Sequence, residues 1–435
     1  MRVLFACIPW RTHFQQTVPL AWALQAAGHE VRVASGPELA DAMAASGLTA
    51  VCVGSDEPVV DKLDALLDEE VLKKVEELQE RGDLLVDLSE NREEELTWER
   101  LRWGYRMTRR TQAAMNDAMV EELVEYGRWW QPDLVVWDWM SSAGAIAATA
   151  LGVPHARIGT ELDVVGRMRR HYLRVRAQQP AADREDPLGD WLREWADKYG
   201  AEFGEEMVTG QVQIEQMLGS MRLESDVPHL PMRFLPYHGP SSVPRWARQD
   251  PSKPRVLTTF GLSLEQSDRH QALPMEQVQG MLDAVADLDI ELVVTLPERF
   301  RKELVRVSGH TRLVEFVPLN AVIGSCAAVI HHGGVPAFME AVAHGVPQLI
   351  LGRAVPDMGE RGPRLERAGA GLWIPGDTPQ EFDGDRIRAA LVRLLDEPGF
   401  REGAGRLREE FLAQPSPSDV VRELERLADP KPRAQ

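Results

Sequence analysis

The stretch Ala328-Val329-Ile330-His331-His332-Gly333-Gly334, which runs on to Gly345-Val346-Pro347-Gln348, decides the local fold of the second half of this chain. A short apolar strand leads into two glycines. Residues 336–344 then have the pattern of a helix with proline at its first position and glycine just past its end. The start of such a helix offers backbone N–H groups and positive potential to an anion. Because His332 lies at this start, its imidazole can donate to the same anion, and the stretch predicts a phosphate-binding loop.

Strand-like and helix-like segments alternate through both halves of the chain. In the first half, the predicted strands are residues 2–7, 31–34, 49–53, 134–137 and 155–158. In the second half, they are residues 256–260, 291–296, 313–316, 328–330 and 348–351. A charged and largely helical insertion is expected between residues 59 and 125. The alternation predicts an α/β fold with doubly wound parallel sheets and helices on both faces of each sheet.

The tract of residues 231–254 contains six prolines and is the best candidate for a linker. Since 435 residues exceed the usual size of a single core, we expect two Rossmann-like domains, residues 1–238 and residues 239–415. A last helix within residues 416–435 is expected to cross back to the first domain. Ligands of open α/β sheets bind outside the carboxyl ends of the strands, so we expect a cleft where the two sets of ends face each other.

The composition argues against several classes of protein. The chain has 49 Lys and Arg against 68 Asp and Glu, and 49 − 68 = −19, which argues against a nucleic-acid partner. Cys7, Cys52 and Cys326 are too widely spaced for a disulfide framework or a metal-ligand cluster, and we expect them to be small core residues of a cytoplasmic protein. No apolar run is long enough to span a membrane, and the run at residues 3–8 is too short for the core of a signal peptide.

Three polar side chains follow predicted strands and are candidates for chemistry. His13 lies in a predicted loop after the first strand, where it can act as a general base or make only a structural hydrogen bond. Asp138 ends the strand at 134–137, and its carboxylate can orient the His13 ring, or it can cap a helix. Ser263 follows Gly261, where a hydroxyl can bond a phosphate oxygen, although this signal is weak by itself.

A wider set of residues matches a known signature. It comprises His332-Gly333-Gly334, Glu340, Gly345-Val346-Pro347, Phe316-Val317-Pro318 and Asp357. Together these residues resemble the donor-binding signature of nucleotide-sugar glycosyltransferases with the GT-B fold, two Rossmann-like doubly wound domains. The opening, with Thr12-His13-Phe14, residues 18–24 and residues 27–31, is similar to actinobacterial antibiotic glycosyltransferases that put deoxysugars on polyketides.

Further matches point to one subgroup of these enzymes. They are Met232-Arg233-Phe234, Gly239-Pro240-Ser241, Glu409 and Pro415-Ser416-Pro417. These residues resemble the macrolide and anthracycline enzymes that work with a cytochrome-like auxiliary protein. The resemblance covers the whole length of the chain, and it implies that the first domain binds the acceptor and the second binds the nucleotide sugar.

The resemblance also implies a role for each matching residue. In the second domain, the pyrophosphate would be held by His332, Gly333, Gly334 and Ser263, the ribose hydroxyls by Glu340, the base by backbone near Val317, and the sugar hydroxyls by Asp357. In the first domain, His13 would be the catalytic base and Asp138 would orient it. These assignments agree with the placement of both groups at predicted strand ends.

The activity implied is inverting transfer of a deoxysugar from a thymidine-diphosphate sugar to a hydroxyl of a polyketide-type aglycone in antibiotic biosynthesis. No metal or other cofactor is expected, because the helix start supplies positive potential. Trp98, Trp103, Tyr105 and Trp139 are candidates to line an apolar acceptor site, with core packing as the alternative. The expected partners are the donor, the acceptor, a cytochrome-like auxiliary protein and a second copy of the chain, but neither nucleic acid nor a membrane.

Three positions depart from the family pattern. Pro336 and Ala337 stand where relatives usually have Gly or Asn and then Ser or Thr, so one N–H donor and one hydroxyl are missing. Met358 stands where a polar residue is usual. A noncatalytic helper protein and a nucleotide-sugar epimerase of the same fold therefore remain alternatives. A dinucleotide oxidoreductase is the weakest alternative, since no G-x-G-x-x-G follows the first strand of either half.

Overall fold

The computed structural model describes residues 1–79, 88–261, 274–352, 355–376 and 382–429. The chain divides into two compact units. Unit 1 comprises Met1–Gly239 together with Pro415–Gln435, and unit 2 comprises Pro240–Gln414. The first passage from one unit to the other falls within the proline-rich tract of residues 231–254.

Unit 1 is built on a parallel sheet. Its strands are β1 (Arg2–Ala6), β2 (Glu30–Ser35), β3 (Thr49–Cys52), β4 (Leu134–Asp138), β5 (His155–Gly159), β6 (Gln213–Glu215) and β7 (His229–Pro231). They lie in the order β3-β2-β1-β4-β5-β6-β7, and neighbouring strands pair in parallel. Ala6 of β1 is opposite Trp137 of β4, so the carboxyl ends of these two strands lie side by side.

Helices cover both faces of this sheet. They are α1 (Arg11–Gln15), α2 (Val18–Ala26), α3 (Ala40–Ala45), α4 (Val59–Asp64), α5 (Glu69–Gln79), α6 (Trp98–Trp130), α7 (Ser142–Leu151), α8 (Val164–Ala177), α9 (Pro187–Lys198) and α10 (Glu206–Thr209). Alternate residues of β1 belong to two separate buried clusters: Leu4 packs with residues of α6 and α7, whereas Phe5 packs with residues of α2. A strand buried on both faces reads as a continuous apolar run, which is what the sequence shows there.

Unit 2 repeats this plan. Its strands are β8 (Arg255–Thr259), β9 (Glu291–Thr295), β10 (Thr311–Val314), β11 (Cys326–His331), β12 (Gln348–Leu351) and β13 (Gly371–Ile374), in the parallel order β10-β9-β8-β11-β12-β13. Its helices are α11 (Met275–Ala284), α12 (Glu298–Arg301), α13 (Val335–His344), α14 (Met358–Arg367), α15 (Gly384–Asp396) and α16 (Pro398–Ala413). Helix α13 begins directly after the two glycines and ends at Gly345, whose φ of +64° is left-handed.

The last helix, α17 (Pro417–Ala428), returns to unit 1. It packs against α2, and its residues Val420, Val421 and Leu424 are buried in the same apolar cluster as Phe5. A capping box of Ser416 and Asp419 fixes its first turn. The helix therefore completes the core of the first unit.

The predicted α/β fold of two doubly wound parallel sheets is confirmed, but several local expectations are wrong. His13 lies in a helix and not in a loop. The sequence does not predict this helix, α1, because its five residues are too few for a periodic pattern. Pro336 is the second residue of α13, after Val335. Cys52 is exposed, so it is not a core residue. The sequence does not predict β6, β7 or β13, which have three or four residues each.

In the described parts of the chain, no helix combines the length and apolar character that crossing a membrane requires.

The approach of α7 to the sheet leaves no room for a side chain at Gly144. A Cβ there would lie 2.5 Å from Trp137 Cβ and 2.9 Å from Ala6 Cβ, and neither atom can rotate away. We therefore expect Gly144→Ala to lower the free energy of unfolding by about 1–3 kcal/mol, measured by urea denaturation. The matched control is Gly104→Ala in α6, where nothing lies within 4 Å. This control should raise the free energy of unfolding by about 0.5–1 kcal/mol, and equal effects of the two changes would contradict the close packing.

Candidate active site

A histidine and an aspartate meet at the carboxyl ends of β1 and β4. Helix α1 follows β1 and carries His13, and β4 ends at Asp138. His13 Nδ1 lies 2.8 Å from Asp138 Oδ1, with the two side chains 14% and 0% exposed. Since a carboxylate only accepts hydrogen bonds, Nδ1 carries the proton and Nε2 is the basic nitrogen.

The surroundings of this pair raise the pKa of His13 above its ordinary value. Burial by itself lowers that pKa, but the charge and hydrogen bond of Asp138 and the charge of Glu161 together outweigh the burial. A higher pKa makes the neutral imidazole a stronger base, although it also keeps the ring protonated up to a higher pH. The arrangement is therefore suited to taking a proton from a hydroxyl group.

The charge of Asp138 also acts on Cys7, which follows β1. Burial and the nearby carboxylate raise the pKa of the Cys7 thiol to about 12. Because the thiolate is the reactive form, Cys7 is not suited to act as a nucleophile.

Three of the four aromatic candidates for an acceptor site, Trp98, Tyr105 and Trp139, separate into two groups. Trp139 lies beside His13, with ring centroids 6.0 Å apart. Tyr105 is buried and stacks on Tyr172 at 3.8 Å, and Trp98 packs on the same tyrosine at 5.5 Å. Trp98 and Tyr105 are thus accounted for by the core, and Trp139 is the aromatic residue that the structure places beside the His13–Asp138 pair.

In unit 2, the ring of His332 is packed between two glycines. A Cβ on Gly261 would lie 2.5 Å from His332 Cε1, and one on Gly334 would lie 2.7 Å from His332 Nε2. Gly261 also has a φ of +82°, which disfavours any other residue. The loop after β8 therefore joins the loop after β11 in fixing this histidine. Ser263, predicted for the same loop, lies outside the described residues.

Both polar backbone groups of Gly333 are bound inside the protein. Its N–H donates to His331 Nδ1 at 3.1 Å, and its carbonyl accepts from Arg361 Nη2 at 2.7 Å. The N–H groups suited to an external anion are therefore those of Gly334 and of the first turn of α13, where helix geometry provides no intrahelical acceptor. Pro336 contributes none of them.

His331, which precedes His332, is held inside the protein. His331 is fully buried, and its Nε2 lies 2.9 Å from Gln348 Oε1. Burial, with the charges of His332 and Arg361, lowers the pKa of His331 to about 3 despite the hydrogen bond to Gln348. The ring is therefore neutral, with Nε2 donating to Gln348 and Nδ1 accepting from Gly333. His331 shapes the loop, and His332 lies on it.

Asp357 is already engaged by an arginine. The residue precedes α14, and its two carboxylate oxygens accept from Arg361 Nη2 and Nε, each at 2.9 Å. Both side chains are fully buried. Through Arg361, Asp357 is therefore connected to the carbonyl of Gly333.

The remaining predicted donor residues are also buried. Glu340 is fully buried in α13, with one carboxylate oxygen 3.8 Å from His344 Nδ1. The side chain of Val317 packs with Leu257 and Val293, which leaves its backbone as the candidate contact. Met358, which departs from the family pattern, is packed against Gly333. A Cβ on Gly333 would lie 2.5 Å from Met358 Sδ.

Three contributors were not assigned from the sequence: Glu161, His331 and Arg361. Of these three, only Arg361 has a local signal in the sequence. It lies four residues after Asp357 in a helical segment, a spacing that favours an ion pair between the two. Within the described ranges, no group of three or more His, Cys, Asp or Glu residues is arranged to hold a metal ion.

The chain is similar to known proteins over almost its whole length. It is 40% identical to an aclacinomycin-T 2-deoxy-L-fucose transferase of Streptomyces galilaeus, over 98% of this chain and 96% of that protein. It is 41% identical to a 10-deoxymethynolide desosaminyltransferase of Streptomyces venezuelae, over 98% of this chain and 97% of that protein. The crystal structure of the glycosyltransferase VinC in complex with DTDP matches with a TM-score of 0.85 and 38% identity, over 99% of this chain and all of that one.

These two doubly wound units, matched over their whole length by a solved glycosyltransferase, define a protein of the GT-B glycosyltransferase class. The resemblance seen in the sequence is thereby confirmed. The chain belongs to the erythromycin biosynthesis protein CIII-like family, whose N-terminal domain matches residues 22–261 and whose C-terminal domain matches residues 279–427.

The contact between His13 and Asp138 predicts a change in pH dependence. Asp138→Asn removes the charge that raises the pKa of His13, so this pKa should fall, and the proton on the ring should no longer be fixed at Nδ1. Titration of the His13 ring by NMR measures the shift, and turnover should drop by roughly 100-fold or more. Glu161→Gln is the control: it should lower the pKa less and leave most of the turnover. An unchanged His13 pKa in Asp138→Asn would show that the pair is not electrostatically coupled.

Proposed function

We propose that this protein is an inverting glycosyltransferase that moves a deoxysugar from a thymidine-diphosphate sugar to a hydroxyl of a polyketide-type aglycone in antibiotic biosynthesis. The observation that carries the proposal is the hydrogen bond between His13 and the buried Asp138 at the strand ends of unit 1. The names of its relatives and the nucleotide in the VinC structure support the choice of substrates.

The base step follows from the tautomer of His13. With its Nδ1 proton held by Asp138, Nε2 accepts the proton of the acceptor hydroxyl as the hydroxyl oxygen attacks the anomeric carbon. The charge of Asp138 stabilises the imidazolium that forms. Attack opposite the leaving diphosphate inverts the configuration of that carbon. The raised pKa of His13 predicts that turnover increases with pH until the ring is deprotonated.

The leaving group is stabilised in unit 2. The diphosphate gains negative charge as the glycosidic bond breaks, and fixed donors at a helix start are effective against such a charge. We assign this role to His332 and to the N–H groups of Gly334 and the first turn of α13. In this scheme Gly333 shapes the loop, Glu340 binds the ribose, the backbone at Val317 binds the base, Ser263 adds a hydroxyl, and Asp357 holds the sugar hydroxyls.

Two partners belong to the proposal. The residues that resemble the auxiliary-dependent subgroup suggest a cytochrome-like protein that activates the enzyme, and a homodimer is also proposed. The loss of two donor contacts at Pro336 and Ala337 is a reason for donor binding to depend on such a partner. Sedimentation of the chain alone and with the auxiliary protein would measure both associations.

The role of His13 predicts a loss of turnover without a loss of donor binding. His13→Ala should reduce turnover by about 100- to 10,000-fold, because it removes the general base. The affinity for thymidine diphosphate, measured by calorimetry, should stay within error. The control is His29→Ala, since His29 pairs with Glu425 and precedes β2 at the opposite edge of the sheet. A large loss of nucleotide affinity in His13→Ala would overturn the assignment. An epimerised sugar formed without acceptor would indicate an epimerase.

The proposed donor predicts a preference for thymidine diphosphate. A ligand that binds only the folded chain stabilises it by about 2.7 kcal/mol at about 100 times its Kd. At equal concentrations the nucleotide that binds most tightly raises the melting temperature most. We expect this nucleotide to be thymidine diphosphate, not uridine or guanosine diphosphate. His332→Ala should weaken its binding by about 10- to 100-fold, as expected for one charge-assisted hydrogen bond. The exposed His310 provides the control substitution His310→Ala. Unchanged affinity in His332→Ala would remove this residue from the site.

A further inference from the structure

The peptide group between Gly333 and Gly334 is flanked by two residues without side chains. Both residues are glycines because His332 and Met358 lie too close for any Cβ, and Gly333 has a φ of +92°. Glycine populates positive and negative φ almost equally, so a flip of this peptide is not opposed by side-chain sterics. The close packing that requires glycine therefore leaves the orientation of the peptide to be fixed by other groups.

Arg361 is the group that holds the carbonyl end of this peptide. Its Nη2 donates to Gly333 O at 2.7 Å. The peptide is trans, because the described residues contain no cis peptide bond, so the N–H of Gly334 points away from the carbonyl of Gly333. When Arg361 binds the carbonyl, the Gly334 N–H is turned to the opposite side of the loop. After a flip, the carbonyl oxygen would take that place and repel an anion.

We infer that Arg361 is a positioning residue for the donor diphosphate, acting through the Gly333 carbonyl to keep the Gly334 N–H directed at the phosphate. This inference rests on the proposed function, because it concerns the same loop. It adds Arg361 to the residues that support donor binding. Because Arg361 is fully buried, it acts through the Gly333 carbonyl and not by contact with the substrate.

Two further residues, Asp357 and Phe338, fix the position of Arg361. Asp357 accepts from both Nε and Nη2, and the guanidinium lies 4.8 Å from the centre of the Phe338 ring. Phe338 belongs to α13 and Asp357 precedes α14, so the guanidinium joins both helices to the loop. An ammonium group cannot reproduce this set of bonds, because it lacks the planar fork of the guanidinium.

His331 holds the other end of the same residue. Its neutral ring accepts the N–H of Gly333, and the positive charge of Arg361 helps to keep that ring neutral. His331 thus binds the N–H of Gly333, and Arg361 binds its carbonyl. Gly333 has no polar group left over for the ligand, and the Gly334 N–H has a defined direction.

The test compares two arginines that bind backbone carbonyls near the two ends of β11. Arg361→Lys keeps a positive charge but loses the fork, and the control Arg401→Lys changes the arginine that binds the carbonyls of Cys326 and Ala327 at the amino end. Calorimetry with thymidine diphosphate and NMR titration with thymidine separate phosphate binding from base binding. We expect Arg361→Lys to lower the affinity for thymidine diphosphate by about 10-fold or more and to leave the affinity for thymidine unchanged. Arg401→Lys should change neither.

Steady-state kinetics provide the second readout. In Arg361→Lys, KM for the donor should rise while KM for the acceptor stays the same. Equal losses for thymidine and thymidine diphosphate, or the same loss in Arg401→Lys, would show a general structural effect and overturn the inference. So would an unchanged affinity for thymidine diphosphate.

Two further measurements keep the test decisive. If Arg361→Lys does not fold, the double substitution Asp357→Asn with Arg361→Gln removes both buried charges together, so that neither is left unpaired. Its affinities for thymidine diphosphate and for thymidine, which both lack the donor sugar, are then measured. If the wild-type chain does not bind thymidine diphosphate, the proposed donor is wrong, and inorganic pyrophosphate becomes the probe. A loss of pyrophosphate affinity in the Arg361 variant would then support the positioning role, and no loss would overturn it.

Discussion

Parallel strand pairing is the constraint on which the rest of this structure depends. It places the carboxyl ends of all neighbouring strands at one edge of a sheet, and the candidate groups of each unit follow those ends. In unit 1, the pairing of β1 with β4 brings His13 to Asp138. In unit 2, the pairing of β11 with β8 brings His332 to Gly261. Residues far apart in sequence become neighbours because the strands that precede them are neighbours.

Two histidines, one in each unit, have opposite shifts in pKa. His13 is buried beside carboxylates, which raise its pKa and prepare it to exchange a proton. Burial and the neighbouring positive charges lower the pKa of His331, despite its hydrogen bond to the Gln348 amide, and remove it from proton chemistry. Burial alone would have lowered both values, so the sign of the neighbouring charge decides between a base and a structural acceptor.

Sequence reasoning predicted what depends on pattern and missed what depends on contact. Strands such as β1 and β4 are largely apolar runs that the sequence reveals, and their pairing places His13 beside Asp138. The five-residue helix that carries His13 and the three-residue strands β6 and β7 are too short for a periodic pattern to be recognised in the sequence. The bond of Arg361 to Gly333 joins residues 28 apart, through a backbone atom that every residue has, so no residue type marks it.

The return of α17 has a consequence for biosynthesis. The core of unit 1 includes side chains of α17, and His29 contacts Glu425 across a sequence separation of 396 residues. A ribosome must synthesise all of unit 2 before these last core residues emerge. During that time the apolar face of α2 lacks its cover, whereas unit 2 is continuous in sequence and can complete its own core first. The nascent first unit is therefore the part of this protein most in need of a chaperone.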